Sequence, residues 1–116
     1  MTFPIEPYKE ERPWGNFERF TQNASSTVKI ITVKTGEAFS LQSHKNRDEF
    51  WRIISGKGMV RLNEETLPVE LAKEYQVPRG TKHRVEAGSE DVVFLEISTG
   101  QFDEDDIERF EDKYGR

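Results

Sequence analysis

An all-β fold, with antiparallel strands closed into a sandwich or barrel, is what this sequence predicts, on three observations. Runs rich in β-branched and aromatic residues recur along the chain, among them VKIITVK, FSLQSH, EFWRIIS and DVVFLEIST. They are short, and Gly, Pro, Asn and Asp turns separate them every few residues, as in TGE, GKG, NEET and PRG. At 116 residues the chain has the size of one domain, 1–116, large enough for a single core without disulfides.

Taken in order, residues 1–15 carry Pro4, Pro7 and Pro13, which argue against a central strand or a helix and predict an extended arm. The arm closes on RPWG, read as a turn whose Trp14 plugs the edge of the core. The β unit is expected over 16–100. In it NFERF is a short run, TQNASS a polar loop, and VKIITVK a strand ending at TGE. FSLQSH and EFWRIIS supply two strands, and GKG predicts a turn into a third, MVRL. After the turn NEET come the short segments PVEL and EYQV, then a tight reversal at PRG ahead of TKHRV. DVVFLEIST is the longest strand candidate. The ending differs. Asp103 is placed to cap a helix with Asp106 three residues later, and Ile107, Phe110 and Tyr114 make one apolar stripe. A short C-terminal helix over 103–113 is therefore expected to pack outside the sheets.

Composition excludes several function classes. No cysteine is present, so disulfides, thiolate metal sites and thiol redox chemistry are ruled out, and the composition suits a cytoplasmic location. No segment approaches the roughly twenty apolar residues of a membrane span, so no membrane partner is expected. A net charge of −5 argues against nucleic acid, whose phosphates want a basic stripe. Many of the acids fall in DEDDIERFED, however. A pocket elsewhere can still use Lys29, Arg47, Lys82 and Arg84 to receive an anionic small molecule.

Candidate chemistry concentrates in residues 36–56, GEAFSLQSHKNRDEFWRIISG. Gln42 and His44 are two apart, so on a strand they project from the same face, as two ligands of one ion must. Glu49 follows the polar turn KNRD and is expected on the adjacent antiparallel strand. A fourth ligand has to come from elsewhere, and His83 is the other histidine of the chain.

Written as spacing, the chain reads G(x)5QxH(x)4E(x)6G and then PxG(x)2H. This resembles the two motifs of the cupin superfamily at Gly36, His44, Glu49, Gly56, Pro78, Gly80 and His83. Gln42 stands where the first histidine is usual, and Ala72 and Ala87 replace the outer glycine and asparagine of the second motif. RPWG, FSLQSH, Arg47, Glu49, Trp51, PRGTKHR, Glu96 and EDDIERFEDKYGR extend the resemblance over nearly the whole chain. Together they are similar to the C-terminal isomerase domain of type II phosphomannose isomerases, found fused to mannose-1-phosphate guanylyltransferases.

The resemblance implies a double-stranded β-helix, the cupin jelly roll, that interconverts mannose 6-phosphate and fructose 6-phosphate with one divalent metal ion. Zinc (Zn) is expected first, with Mn, Co, Ni or Mg as alternatives, on Gln42, His44, Glu49 and His83. Glu96, of the same strand parity as Phe94 and Ser98, is the candidate base, with Arg84 as a second catalytic candidate. Lys29, Arg47, Lys82 and Arg109 are the expected substrate-binding cations, because a phosphate wants several charge-assisted donors. Lys45, Asn46 and Phe50 occupy positions that hold histidine in the family, so the alternative is a cupin that binds a sugar or sugar phosphate without turning it over. Large apolar residues on both faces of the site strands, Leu41 behind Gln42 and Phe50 and Ile54 behind Trp51 and Ile53, call for a cover, either the arm or a second subunit. A homodimer is expected.

Overall fold

The computed structural model describes residues 3–112. These form nine strands: β1 Tyr8–Arg12, β2 Gly15–Arg19, β3 Ser26–Val33, β4 Leu41–Ser43, β5 Arg47–Leu62, β6 Glu65–Pro68, β7 Glu74–Val77, β8 His83–Gly100 and β9 Glu108–Glu111. β5 and β8 run antiparallel along almost their whole length, from Arg47 opposite Gly100 to Leu62 opposite His83. The first half of β5 and the second half of β8 are flanked by β7 and β3. The second half of β5 and the first half of β8 are flanked by β6 and by β4, which in turn pairs with β9. Two sheets that share their central strands in this way make the double-stranded β-helix.

The shared strands correct two expectations. GKG is not a turn: EFWRIIS and MVRL belong to one strand of 16 residues, and HRV and DVVFLEIST belong to one of 18. Register shifts between Ile53 and Gly58 carry the strand pair from one sheet to the other. The glycines are needed there for close approach. A Cβ on Gly56 would lie 2.1 Å from the Asp91 carbonyl oxygen, and one on Gly58 2.1 Å from that of Glu86. Glu49 also does not lie on the strand next to β4, because β8 stands between β4 and β5.

The predicted C-terminal helix is overturned, and the described residues contain no helix at all. Residues 103–107 instead form turns, with Asp106 N–H donating to the Asp103 carbonyl and Asp105 N–H to the Asp103 carboxylate. β9 then pairs with β4, Gln42 opposite Arg109 and Ser43 opposite Glu108. Asp106 accepts the backbone N–H groups of Lys45 and Asn46 at 2.8 and 2.9 Å. These long-range partners outweigh a weak local helical pattern. Tyr114, the last residue of the supposed stripe, lies outside the described residues.

The described part of the arm has no strand over 3–7, and Tyr8 to Gly15 belong to the β1–β2 hairpin, so more than half of residues 1–15 is hairpin or outside the described residues rather than arm. Trp14 sits in the two-residue turn of that hairpin, 73% exposed, and does not plug the core. Ile5 does: it is fully buried with Phe50 and Ile97, backed by Phe3, Phe20 and Leu95. The arm is thus the cover for the outward face of Phe50. Arg52 pairs with Glu18 and Glu74, tying the hairpin to the main sheet. The larger core, around Trp51, Ile53, Val60, Val85, Val92 and Phe94, fills the space between the two sheets.

Candidate metal centre

Alternation along the long strands turns one row of residues inward, and at one end of the interior that row is polar. β5 contributes Arg47 and Glu49, β8 contributes His83 from one half and Glu96 and Ser98 from the other, and all five are buried. His44 follows β4 directly and is buried too. With Lys29 of β3, Gln42 of β4 and Arg109 of β9, all of these but Ser98 line a cavity of about 240 Å³. The PRG turn is docked on the same region. Gly80 N–H donates to the His44 carbonyl, while Asp48, on the opposite face from Glu49, accepts from Arg79 N–H and Nη2.

Three side chains converge. His44 Nδ1 lies 2.7 Å from the Asp106 carbonyl oxygen and His83 Nδ1 lies 2.9 Å from that of Thr81. A carbonyl only accepts, so each Nδ1 carries the hydrogen and each Nε2 carries the lone pair. Those Nε2 atoms face the Glu49 carboxylate, His44 at 3.4 Å and His83 at 3.8 Å. One ligand atom from each of the three residues lies within 4.8 Å of the other two. Burial pushes both imidazoles below the ordinary histidine range, which keeps them neutral and able to ligate. Neutral imidazoles oriented by backbone carbonyls, together with a carboxylate, are a donor set that a divalent ion accepts. Gln42 is the cross-strand partner of His83, and its amide nitrogen donates to the Ser40 carbonyl and hydroxyl. Its Oε1 is then the atom with lone pairs to offer.

The charges in this interior are balanced. Burial pushes Glu49 up, but hydrogen bonds from Arg47 Nε and Trp51 Nε1, both 3.1 Å, hold it below the usual carboxylate value. Glu96 goes the other way. Burial and the neighbouring Glu49 charge, with which it shares a hydrogen bond, push it up to about 8. One carboxylate is paired with a guanidinium and the second keeps its proton. The Ser98 hydroxyl, buried on the same row, has no hydrogen-bond partner among the described residues.

The cavity brings together eight of the ten residues singled out from the sequence: Gln42, His44, Glu49, His83, Glu96, Lys29, Arg47 and Arg109. Arg84 and Lys82 are not among its walls. Arg84 alternates with His83 to the outer face, where it donates to the carbonyls of Phe39 and Glu111 and so holds β9 in place. Lys82 sits over the Phe110 ring. In the C-terminal segment sequence reasoning found Arg109 but missed the residues before it: Glu104 and Ile107 line the cavity, Phe102 stacks on Arg47 and Lys29, and Asp106 orients His44. No local signal marks these contacts, although strand parity with Lys29 would have found Ile31. Lys45 and Asn46 are exposed and Phe50 faces the arm, so none of the three positions where the family pattern carries histidine lines the cavity.

Comparison with known proteins agrees with this geometry. Residues 6–112 match the family model described as mannose-6-phosphate isomerase C-terminal. The xanthan biosynthesis protein XanB of Xanthomonas campestris is 39% identical over 93% of this chain, and mannose-1-phosphate guanylyltransferase ManC of Salmonella typhimurium is 36% identical over 90%. The chain spans about a quarter of the length of these relatives, 24% and 22% respectively. Among solved structures, a cupin protein from Bacteroides fragilis superposes with a TM-score of 0.60 at 25% identity, covering 65% of each chain. The capsular polysaccharide assembling protein CapF of Staphylococcus aureus shares the fold, with a TM-score of 0.64 at 21% identity over 91% of this chain and 34% of its own. The chain belongs to the mannose-6-phosphate isomerase C-terminal family, as a cupin domain related to the isomerase-like region of bifunctional isomerase/guanylyltransferase enzymes.

Proposed function

We propose that this domain is a metal-dependent aldose–ketose isomerase acting on a sugar phosphate, with mannose 6-phosphate and fructose 6-phosphate as the pair. The observation that carries the reading is the buried His44, Glu49 and His83 cluster placed beside a separate, proton-holding carboxyl, Glu96, in one cavity. A divalent ion held by the cluster would supply Lewis-acid polarisation of the sugar carbonyl. Zinc suits the nitrogen and oxygen ligands, with Gln42 as the fourth. Glu96 is next to Glu49 but outside the group of mutually close ligand atoms, which suits a proton carrier better than a ligand. The ionised fraction of a carboxyl poised near neutrality can take the proton from one carbon of the open-chain sugar and return it to the next. Lys29, Arg47 and Arg109 are the cations available to the phosphate, and Ile31, Phe39 and Ile107 provide apolar wall.

The alternative is binding without turnover. It rested on the replacements at Lys45, Asn46 and Phe50, and their position outside the cavity favours the isomerase. The deciding experiment incubates metal-reconstituted protein with mannose 6-phosphate in deuterium oxide and follows C2 deuteration and fructose 6-phosphate by NMR. Exchange and conversion are expected. Binding without either, across several divalent metals, would leave the non-catalytic module.

We also infer a homodimer. Val28 and Ile30 are 58% and 66% exposed on the outer face of β3, which pairs only with β8 among the described strands. Light scattering that returns a monomer at micromolar concentration would remove this reading.

A further inference from the structure

We propose that Arg47 is a resident counter-cation of the ligand cluster, which a divalent ion must displace, and that Arg47 thereby sets the metal affinity of the site. The proposal rests on reading His44, Glu49 and His83 as a metal centre. Arg47 Nη2 donates to His44 Nε2 at 3.1 Å, and Arg47 Nε donates to Glu49 Oε2 at 3.1 Å. These two acceptors face each other across 3.4 Å, so one guanidinium bridges two members of the cluster.

Exclusion at His44 is strict. A neutral imidazole has one lone pair, and here it is on Nε2, because Nδ1–H is committed to the Asp106 carbonyl. That lone pair cannot point at an N–H and at an ion together. Glu49 has lone pairs to spare, but its attraction for a metal is shared with the Arg47 guanidinium. A full positive charge held this close to a cation site opposes a divalent ion.

Arg47 does not lose its anchorage when it lets go. Its Nη1 donates to the Asp103 carbonyl at 3.1 Å, and its guanidinium lies 4.5 Å from the Phe102 ring centroid. Both partners belong to the segment that also lines the cavity through Glu104 and Ile107. The donors withdrawn from His44 and Glu49 remain at the cavity wall, where an anionic group can use them. Entry of the metal therefore exchanges a blocked ligand set for an open one plus an available guanidinium.

The test is calorimetric titration of zinc into the full chain, comparing wild type with Arg47→Met and Phe102→Ala, and with His83→Ala as the ligand control. Arg47→Met is expected to bind at least about tenfold more tightly than wild type. Phe102→Ala, which removes the ring under both the Arg47 guanidinium and the Lys29 ammonium, is expected to tighten binding by a smaller factor and serves if Arg47→Met does not fold. Unchanged or weaker affinity in a folded variant overturns the proposal. If wild type binds zinc and His83→Ala does not, that failure concerns Arg47 alone. If neither wild type nor the Arg47 and Phe102 variants bind, the metal reading fails with it.

Discussion

The interior of this protein is built from one set of strands but has two ends of opposite character. Along the inward row of β5, Glu49 is followed by Trp51 and Ile53; along β8, Ser98 and Glu96 give way to Phe94 and Val92, and His83 to Val85 and Ala87. On β3 and β8 the change falls at the same level, between the Lys29–Glu96 and Ile31–Phe94 pairs, and on β5 it comes one inward residue earlier, because Trp51 stands opposite Glu96. Trp51 marks the boundary: its indole packs against Phe94 in the core while its N–H donates to Glu49. The apolar end is held by removal of surface from water. The polar end is tolerated because every charge in it has an answer, a guanidinium for Glu49, a retained proton for Glu96 and neutral tautomers for the two histidines. Stability and chemistry are thus carried by different stretches of the same strands.

The sharpest way to break this contrast is from the apolar end. Trp51→Ala should cost about 3–5 kcal/mol of unfolding free energy in urea denaturation, because a fully buried indole at the centre of the larger core is removed. Glu49→Gln at the polar end should cost less, about 1–2 kcal/mol, while abolishing metal binding. The loss is limited because Glu96, relieved of its charged neighbour, can ionise in place of Glu49.

The pH dependence of the metal-free protein follows. Folded Glu96 keeps its proton to about pH 8, whereas an unfolded glutamate loses it near its ordinary value of 4.5. The folded state therefore holds more protons between these values, and stability falls as pH rises through that window. Below about pH 6.5 the two histidines, depressed by burial, act in the opposite sense and make stability rise with pH. From pH 6.5 to 8 the Glu96 slope stands alone, about 1–2 kcal/mol in all. Denaturation of EDTA-treated Glu96→Gln at both ends of that interval should show the slope gone. Smallest is Asp106→Ala, which loses the acceptors of Lys45 and Asn46 N–H but keeps the backbone carbonyl that orients His44. It should lower stability by about 1 kcal/mol in a thermal-shift series, with zinc affinity changed less than tenfold.

Local sequence carries much of the apolar end and part of the polar one. Period-2 patterns locate β3, β7 and the β5 and β8 cores, and the spacing of Gln42, His44, Glu49 and His83 anticipates a cluster before any fold is known. What local reading misses is where the chain returns on itself. Gly56 and Gly58 look like turn residues but serve the close crossing of β5 and β8. Asp103 and Asp106 look like helix caps, yet their hydrogen bonds go to turn backbone and to residues 60 positions away. Trp14 looks like a core plug, while Ile5, with nothing to distinguish it locally, is the buried one. Arg84 and Lys82 differ from His83 only in parity and neighbourhood, and that difference takes Arg84 to the outer face.

His44, Glu49 and His83 are placed to hold one divalent ion. X-ray absorption of the zinc-loaded protein tests it most directly. Two imidazoles and one or two oxygen ligands at about 2.0–2.2 Å are expected, with one imidazole contribution lost in His83→Ala. A shell of oxygen scatterers without imidazole, or a spectrum unaltered by His83→Ala, would contradict it.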